Sequence, residues 1–285
     1  MMSEQIHPRG RLMTVLTLAR FEARQHLRSH RMFALASLLF LFIVGGSYGL
    51  SDPDGRLTPG IATDTPYEVL FLVSLFVLLS ATLGVVLLGF DAISRRRLTK
   101  ELAIELSQPI SRSDLALAHL LGLWTAAFLP TMAATLVGVT MMHSQMDAWP
   151  SLAELAYFLG ATALVLLWYS SIQLLASSLA RDLGSAVTLG VGSWMLFTFV
   201  WLLVTAVLAS IIGVDMTDLE NQRFNRFSEI IDLFSPNGVY QLLLEDRLTG
   251  DATPHLESRF IWLAAALWTL IPALLFTARF RSIRP

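Results

Sequence analysis

Apolar residues in this chain gather into six long runs, at 32–50, 69–90, 116–142, 155–180, 187–212 and 261–277, and none of these runs contains Asp, Glu, Lys or Arg. A bilayer core about 30 Å thick needs about 20 apolar residues per helix, because every backbone N–H and C=O must be bonded within the segment. One charge at a helix centre costs about 2.5–3.5 kcal/mol to insert, so six windows free of charge predict six transmembrane α-helices. The runs carry kink-prone Pro130 and Pro272, and Ala186 with Gly190 forms a small-residue pair that favours close helix approach.

Between the runs the periodicity changes. Leu12, Val15, Leu16, Ala19, Ala23 and Leu27 recur three and four residues apart, with Arg20, Glu22, Arg24 and Gln25 elsewhere, which predicts an amphipathic helix lying in the membrane interface. The connection at 91–115 reads DAISRRRLTKELAIELSQPISRSDL. In it Leu98, Leu102 and Leu106 repeat every fourth residue, and Arg97 and Glu101 are spaced as a helical ion pair, so one helix is expected over 92–106. Pro109 breaks it, Ser111 or Ser113 can cap the next helix, and Arg112 is held at the turn. A helical hairpin with one apolar stripe and one charged face suits docking of a soluble partner; a solvated charge run against phospholipid headgroups is the alternative. Between the last two runs, residues 213–259 are far longer than a turn. Phe224, Phe227, Ile230, Ile231 and Phe234 form an apolar stripe, and Ser235 followed by Pro236 marks a fresh helix start. Two short helices lying over the outer mouth are expected there, with a turn at 250–254.

Composition agrees with the membrane class. Of 285 residues 54% are hydrophobic and 15% charged, against roughly 25% charged in soluble proteins, and the mean hydropathy is +0.61. There is no cysteine, which excludes disulfides, Cys-ligated zinc or iron–sulfur sites and thiol catalysis. The net charge of −2 matters less than its distribution. Of 20 Lys and Arg, 15 fall on the side that holds both chain ends, including six Arg up to Arg31 and five basic residues in 91–115; acidic residues divide 7 to 15 the other way. The positive-inside rule therefore places both termini in the cytoplasm of a multi-pass protein of the cell (cytoplasmic or inner) membrane. No cleavable signal is expected, since the first apolar run is 19 residues long and lies behind 31 others. Residues 1–285 read as a single transmembrane domain with no internal repeat.

Catalytic constellations are missing. The sequence has no HExxH, no GxSxG and no GxxxxGK followed by Ser or Thr, so the chain is not expected to hydrolyse ATP, to act as an enzyme or to bind a cofactor. His119, near the start of the third run, could relay protons or pack between helices, and Ser170, Ser171 and Gln173 could line a polar path or bond across helices. Met141, Met142, His143 and Met146 combine thioethers with an imidazole, a donor set for a soft metal such as Cu(I), although methionine at a membrane interface more often serves packing.

The segment FDAISRRRLTKELAIELSQPISRSDLALAHLLG, residues 90–122, resembles the signature region of ABC type-2 permeases. There an aspartate at the end of the second span leads into a helix and then a Leu-Ser-x-Pro-(Ile/Val)-Ser-Arg turn into the third span. Asp91, Leu106, Ser107, Pro109, Ile110, Ser111 and Arg112 stand at the matching places. The layout also fits: an elbow helix, six spans, a hairpin after span two, and short outer helices between spans five and six. Two departures stand out. Where the family usually has Glu-Arg and then Gly-Thr-Leu, this chain has Arg96, Arg97 and then Lys100, Glu101, Leu102; where Gly-Lys is common it has Ala118 and His119. The outer LFSPNGVYQLL, residues 233–243, resembles the equivalent segment of permeases that accompany nitrous-oxide reductase maturation.

The resemblance implies an all-α membrane protein, an ABC type-2 exporter-like permease with a coupling hairpin between helices 2 and 3. It implies a dimer, with a second copy or a paralogue, driven by two cytosolic ABC ATPase subunits that hold ATP and Mg. Arg95, Arg96, Arg97, Leu98, Lys100, Glu101, Leu102, Glu105, Leu106, Pro109, Ser111 and Arg112 would then form the coupling region. Leu98, Leu102 and Leu106 would bury against the permease or the ATPase, while Arg95, Arg96, Arg97, Glu101 and Arg112 set charge complementarity. The competing class is a membrane scaffold or sensor whose hairpin docks a non-ATPase partner; no nucleic-acid partner is expected. The spans show apolar lining residues and no charged binding pocket, so the sequence names no substrate, and export is expected from the family alone.

Overall fold

Each charge-free run coincides, to within a residue at its end, with a helix long enough to cross a bilayer. A computed structural model describes residues 8–52, 64–213, 222–248 and 255–283, and among them there is no strand. An N-terminal helix α1 (Pro8–Leu27) precedes six helices long and apolar enough to cross a membrane. These are α2 (His30–Leu50), α3 (Pro66–Gly89), α6 (Arg112–Met146), α7 (Leu152–Leu179), α8 (Leu183–Ile211) and α11 (Ser258–Arg281). Short helices α4 (Ser94–Leu98) and α5 (Glu101–Leu106) come after α3, and α9 (Gln222–Asp232) and α10 (Pro236–Glu245) after α8.

Polar residues just before the runs start the helices. Thr65 with Glu68 forms a capping box on α3, with Pro66 at its first position; Ser151 with Glu154 does the same on α7, and Asp182 with Ser185 on α8. Helix α3 is the centre of the bundle, packed against α2, α6 and α7, and 72% of its apolar window is buried. The core between these helices and α11 includes Leu35, Val69, Val73, Trp168, Tyr169, Phe276 and Phe280. Helix α8 is the outermost span, with only 17% of its window buried. Single π turns interrupt α2 at Phe40–Val44 and α8 at Leu196–Val200.

Helix α1 lies along the start of α6. Val15, Ala19 and Ala23 of its predicted stripe face the protein, whereas Leu12 and Leu16 stay exposed. The approach is close at Gly122, where a Cβ would lie 2.4 Å from Cβ of Glu22 and 3.1 Å from the Ala19 carbonyl oxygen.

Two expectations need correction. The 92–106 segment is not one helix: it breaks at Lys100, which takes a left-handed conformation (φ 63°), and the Arg97–Glu101 pair does not form. The reason is a stronger pairing across the break, Arg96 to Glu105 at 2.9 Å. In an unbroken helix residues nine apart are about 13 Å distant along the axis. Helix α10, for its part, does not lie over the mouth of the bundle. Gly238, Val239, Tyr240 and Leu242–Leu244 are buried, and the helix is inserted between α7, α11 and α3. Most of its side chains are apolar and its polar Asn237, Tyr240 and Gln241 bond to partners within the bundle, which suits it to an enclosed position.

Candidate functional site

The hairpin α4–α5 is tied to the bundle at its base. Arg96 donates to both oxygens of Glu22 on α1 (2.9 and 2.6 Å), to Glu105 on α5 (2.9 Å) and to Gln25 (3.3 Å). His119 of α6 closes the knot, with Nδ1 3.6 Å from Glu22 and Nε2 3.3 Å from Glu105. Burial pushes the Glu22 carboxyl up, but hydrogen bonds from His119 and Arg96 outweigh it and hold the group well below the usual carboxylate range. Donor atoms of Glu22, Glu105 and His119 lie within 4.8 Å of one another, close enough to hold a cation. The Arg96 guanidinium already fills that role, so the cluster is an ion-pair knot between elbow, hairpin and third span.

Other ties surround it. Arg31 at the start of α2 grips Asp91 with two bonds (2.6 and 2.8 Å) and reaches the Leu87 carbonyl. Ser177 of α7 accepts from the backbone N–H groups of Ile93 and Ser94 (3.0 and 3.1 Å), satisfying donors at the start of α4. Arg97 donates to the Ala180 carbonyl at the end of α7. Arg112 donates to the carbonyls of Arg281 and Ile283 (both 2.8 Å), so it caps the end of α11. Ser111, rather than Ser113, caps α6 by accepting from the Asp114 N–H. Leu102 is buried and Leu106 packs against the core. By contrast Leu98 and Ile104 are 51% and 65% exposed, and Arg95, Lys100, Glu101 and Pro109 are exposed with them. The hairpin thus has a fixed base and a free tip.

At the opposite end of the bundle, α9 and α10 form a re-entrant pair. Their elbow reaches the middle of the spans: Asn237 accepts from Tyr169 (2.7 Å) and donates to the Phe197 carbonyl (3.1 Å), and Phe197 is at the midpoint of α8. Trp268 donates to the Leu233 carbonyl (3.2 Å). Near the mouth, Tyr67 and Tyr157 donate to the carbonyls of Leu244 and Leu243 (2.8 and 2.9 Å) and hold the other end of α10. The elbow is tight because Gly238 sits where a Cβ would lie 2.4 Å from the Asp232 carbonyl oxygen. Between the pair and the π turn of α8 is a cavity of about 540 Å³, lined among others by Phe197, Trp201, Phe224, Ser228, Asp232 and Gln241. The spans themselves contribute no charge to it, but α9 brings in a carboxylate that the apolar-run reading passed over.

The remaining sequence candidates are dispersed. Ser170 is buried and bonds to the Leu166 carbonyl of its own helix (2.7 Å), whereas Gln173 links α7 to α8 through the Gly190 carbonyl (3.0 Å) and Ser193 (3.2 Å). Met142 is buried, Met146 packs on the core, Met141 is 37% exposed, and His143 stacks on Trp149 with ring centres 4.2 Å apart.

The family model for the ABC-2 family transporter protein matches residues 16–282, nearly the whole chain. The chain belongs to that family. A comparison with curated proteins finds no match. The family is a membrane transport component, not itself catalytic, which makes this chain the permease of an ABC transporter. In the ABC-2 frame the Lys100 bend gains a meaning: the left-handed residue stands where the resemblance expects glycine, and only glycine takes that conformation without steric cost.

Proposed function

We propose that this permease forms a translocation path as a dimer and takes its motion from separate cytosolic ABC ATPases that bind ATP and Mg, through the tip of the α4–α5 hairpin. The observation that carries the reading is the contrast within the hairpin. Its base is joined to α1, α2, α6 and α7 by Arg96, Asp91, Ser177 and Arg97, while Leu98 and Ile104 present apolar side chains to solvent. A partner that pushes on such a tip moves the spans as a body, because the base cannot yield first. The hairpin and both chain ends share the face rich in Arg, which the positive-inside rule assigns to the cytoplasm of the cell membrane. The little-buried, apolar α8 supplies a face for a second copy or a paralogue, and the family favours export. The narrower kinship with permeases of nitrous-oxide reductase maturation rests on residues 233–243 alone.

The test is a double substitution at the tip, Leu98→Asp with Ile104→Asp. It removes two exposed apolar contacts without touching the knot. We expect the folded permease to lose copurification with its ATPase and to lose transport. Undiminished copurification and coupled turnover would refute the hairpin as the coupling element.

A further inference from the structure

We propose that the cavity under the π turn of α8 binds an organic cation, a single positive charge carried on an apolar body. Asp232 provides the first argument. It ends α9 at the re-entrant elbow, beside residues that reach the middle of the spans, and its side chain accepts from the Ser228 hydroxyl at 3.5 Å. Among the described residues no Lys, Arg or His pairs with it. A carboxylate at membrane depth is costly without a countercharge, and such residues mark substrate or ion pathways.

The other polar groups lining the cavity cannot supply that countercharge, because all of them are neutral, and its two amides are engaged elsewhere. Asn237 bonds to Tyr169 and to the Phe197 carbonyl, and the Gln241 amide donates to Ser74 at 3.0 Å. The apolar part of the wall is Leu78, Phe197, Trp201, Leu202, Ala206 and Phe224, and the remaining side-chain polar groups, the hydroxyls of Thr198, Thr205 and Ser235, are neutral. Aromatic faces attract a desolvated cation through the ring quadrupole, whereas they repel an anion. A volume of about 540 Å³ lies in the range of small-molecule pockets, far more than a metal ion or a proton path requires. Carboxylate, aromatic walls and size together select an amphiphilic ammonium or phosphonium type of ligand. Binding stands on the cavity itself; only passage of the bound cation across the membrane rests on the permease reading.

The test uses the full chain in phosphatidylcholine nanodiscs, titrated with tetraphenylphosphonium and with tetraphenylborate, which carry the same four phenyl groups and opposite charges. Saturable phosphonium binding is expected, weakened tenfold or more by Asp232→Asn, with borate binding unchanged. Asp232→Asn should unfold at the same or a higher temperature than the wild type, which separates lost binding from lost fold. Ala206→Trp fills the cavity from the α8 side and should weaken phosphonium binding as well. Equal phosphonium affinity in wild type and Asp232→Asn, or no saturable binding to the wild type, overturns the proposal. Neither result bears on ATPase copurification, so this inference and the permease reading fail separately.

Discussion

Replacing Arg96 with Met keeps a long apolar stem but removes the charge that Glu22 and Glu105 share. The side chains of Arg96 and Glu22 are 14% and 10% exposed, and that of Glu105 is 27% exposed. Breaking a buried ion pair by removing one partner costs about 3–5 kcal/mol, since it leaves an uncompensated charge behind. Water can reach Glu105 and relieve part of this, so the lower end, about 3 kcal/mol, is expected. The control is Arg95→Met, whose side chain is 65% exposed and 3.9 Å from Asp91; an exposed pair of that kind contributes about 0–1 kcal/mol. A triple variant, Arg96→Met with Glu22→Leu and Glu105→Leu, removes the stranded carboxylates too and should recover most of the loss, because apolar residues of similar volume often replace a buried ion group at little cost. Thermal unfolding of the purified protein in detergent ranks the three, with tryptophan emission as the signal. A loss from Arg96→Met no larger than that from Arg95→Met, or a triple variant no better than the single one, would refute the knot as a structural tie.

Gly122→Val sets a branched side chain against Glu22 and the Ala19 carbonyl, and overpacking of this kind costs about 1–3 kcal/mol; faster proteolytic cleavage within α1 is expected, and an unchanged cleavage rate would mean that α1 is not held there. His26 gives a pH dependence. Burial pushes its imidazole down from the ordinary 6.5 to about 4, with Glu22 opposing and the charges of Arg96, His119 and Arg31 assisting. Between those values the unfolded chain binds more protons than the folded one, so stability falls as pH drops from about 6.5 towards about 4. His26→Gln should flatten that slope, and an identical slope in the variant would count against the burial of His26.

The six spans were legible because the bilayer leaves a chain few alternatives: a helix in lipid must be long, apolar and free of charge, and each of those demands is visible residue by residue. Local signals survived too, since Ser235 with Pro236 and Ser111 do start helices. What escaped was contact between distant segments. Nothing around Arg96 announces that its partner is Glu22, 74 positions away, so a residue read as a surface charge is a buried tie. The same holds for Arg97 and Arg112, whose acceptors are backbone carbonyls, which every residue has. The depth of α10 was hidden by its length, because 10 residues are too few to span and hydropathy alone does not distinguish a cover from an insertion. Asp232 was lost with it.

The knot also joins two departures from the family pattern that look unrelated along the chain. Where the family usually has Glu, this chain has Arg96, and where Lys is common it has His119; in space Arg96 Nη1 and His119 Nδ1 are 3.2 Å apart. Here a guanidinium cation faces an imidazole, and Glu22 and Glu105 supply the negative charge between them. Across homologues, positions 22, 96, 105 and 119 should change as a set, and a lineage caught between the two arrangements would carry an unbalanced charge at the root of its coupling hairpin.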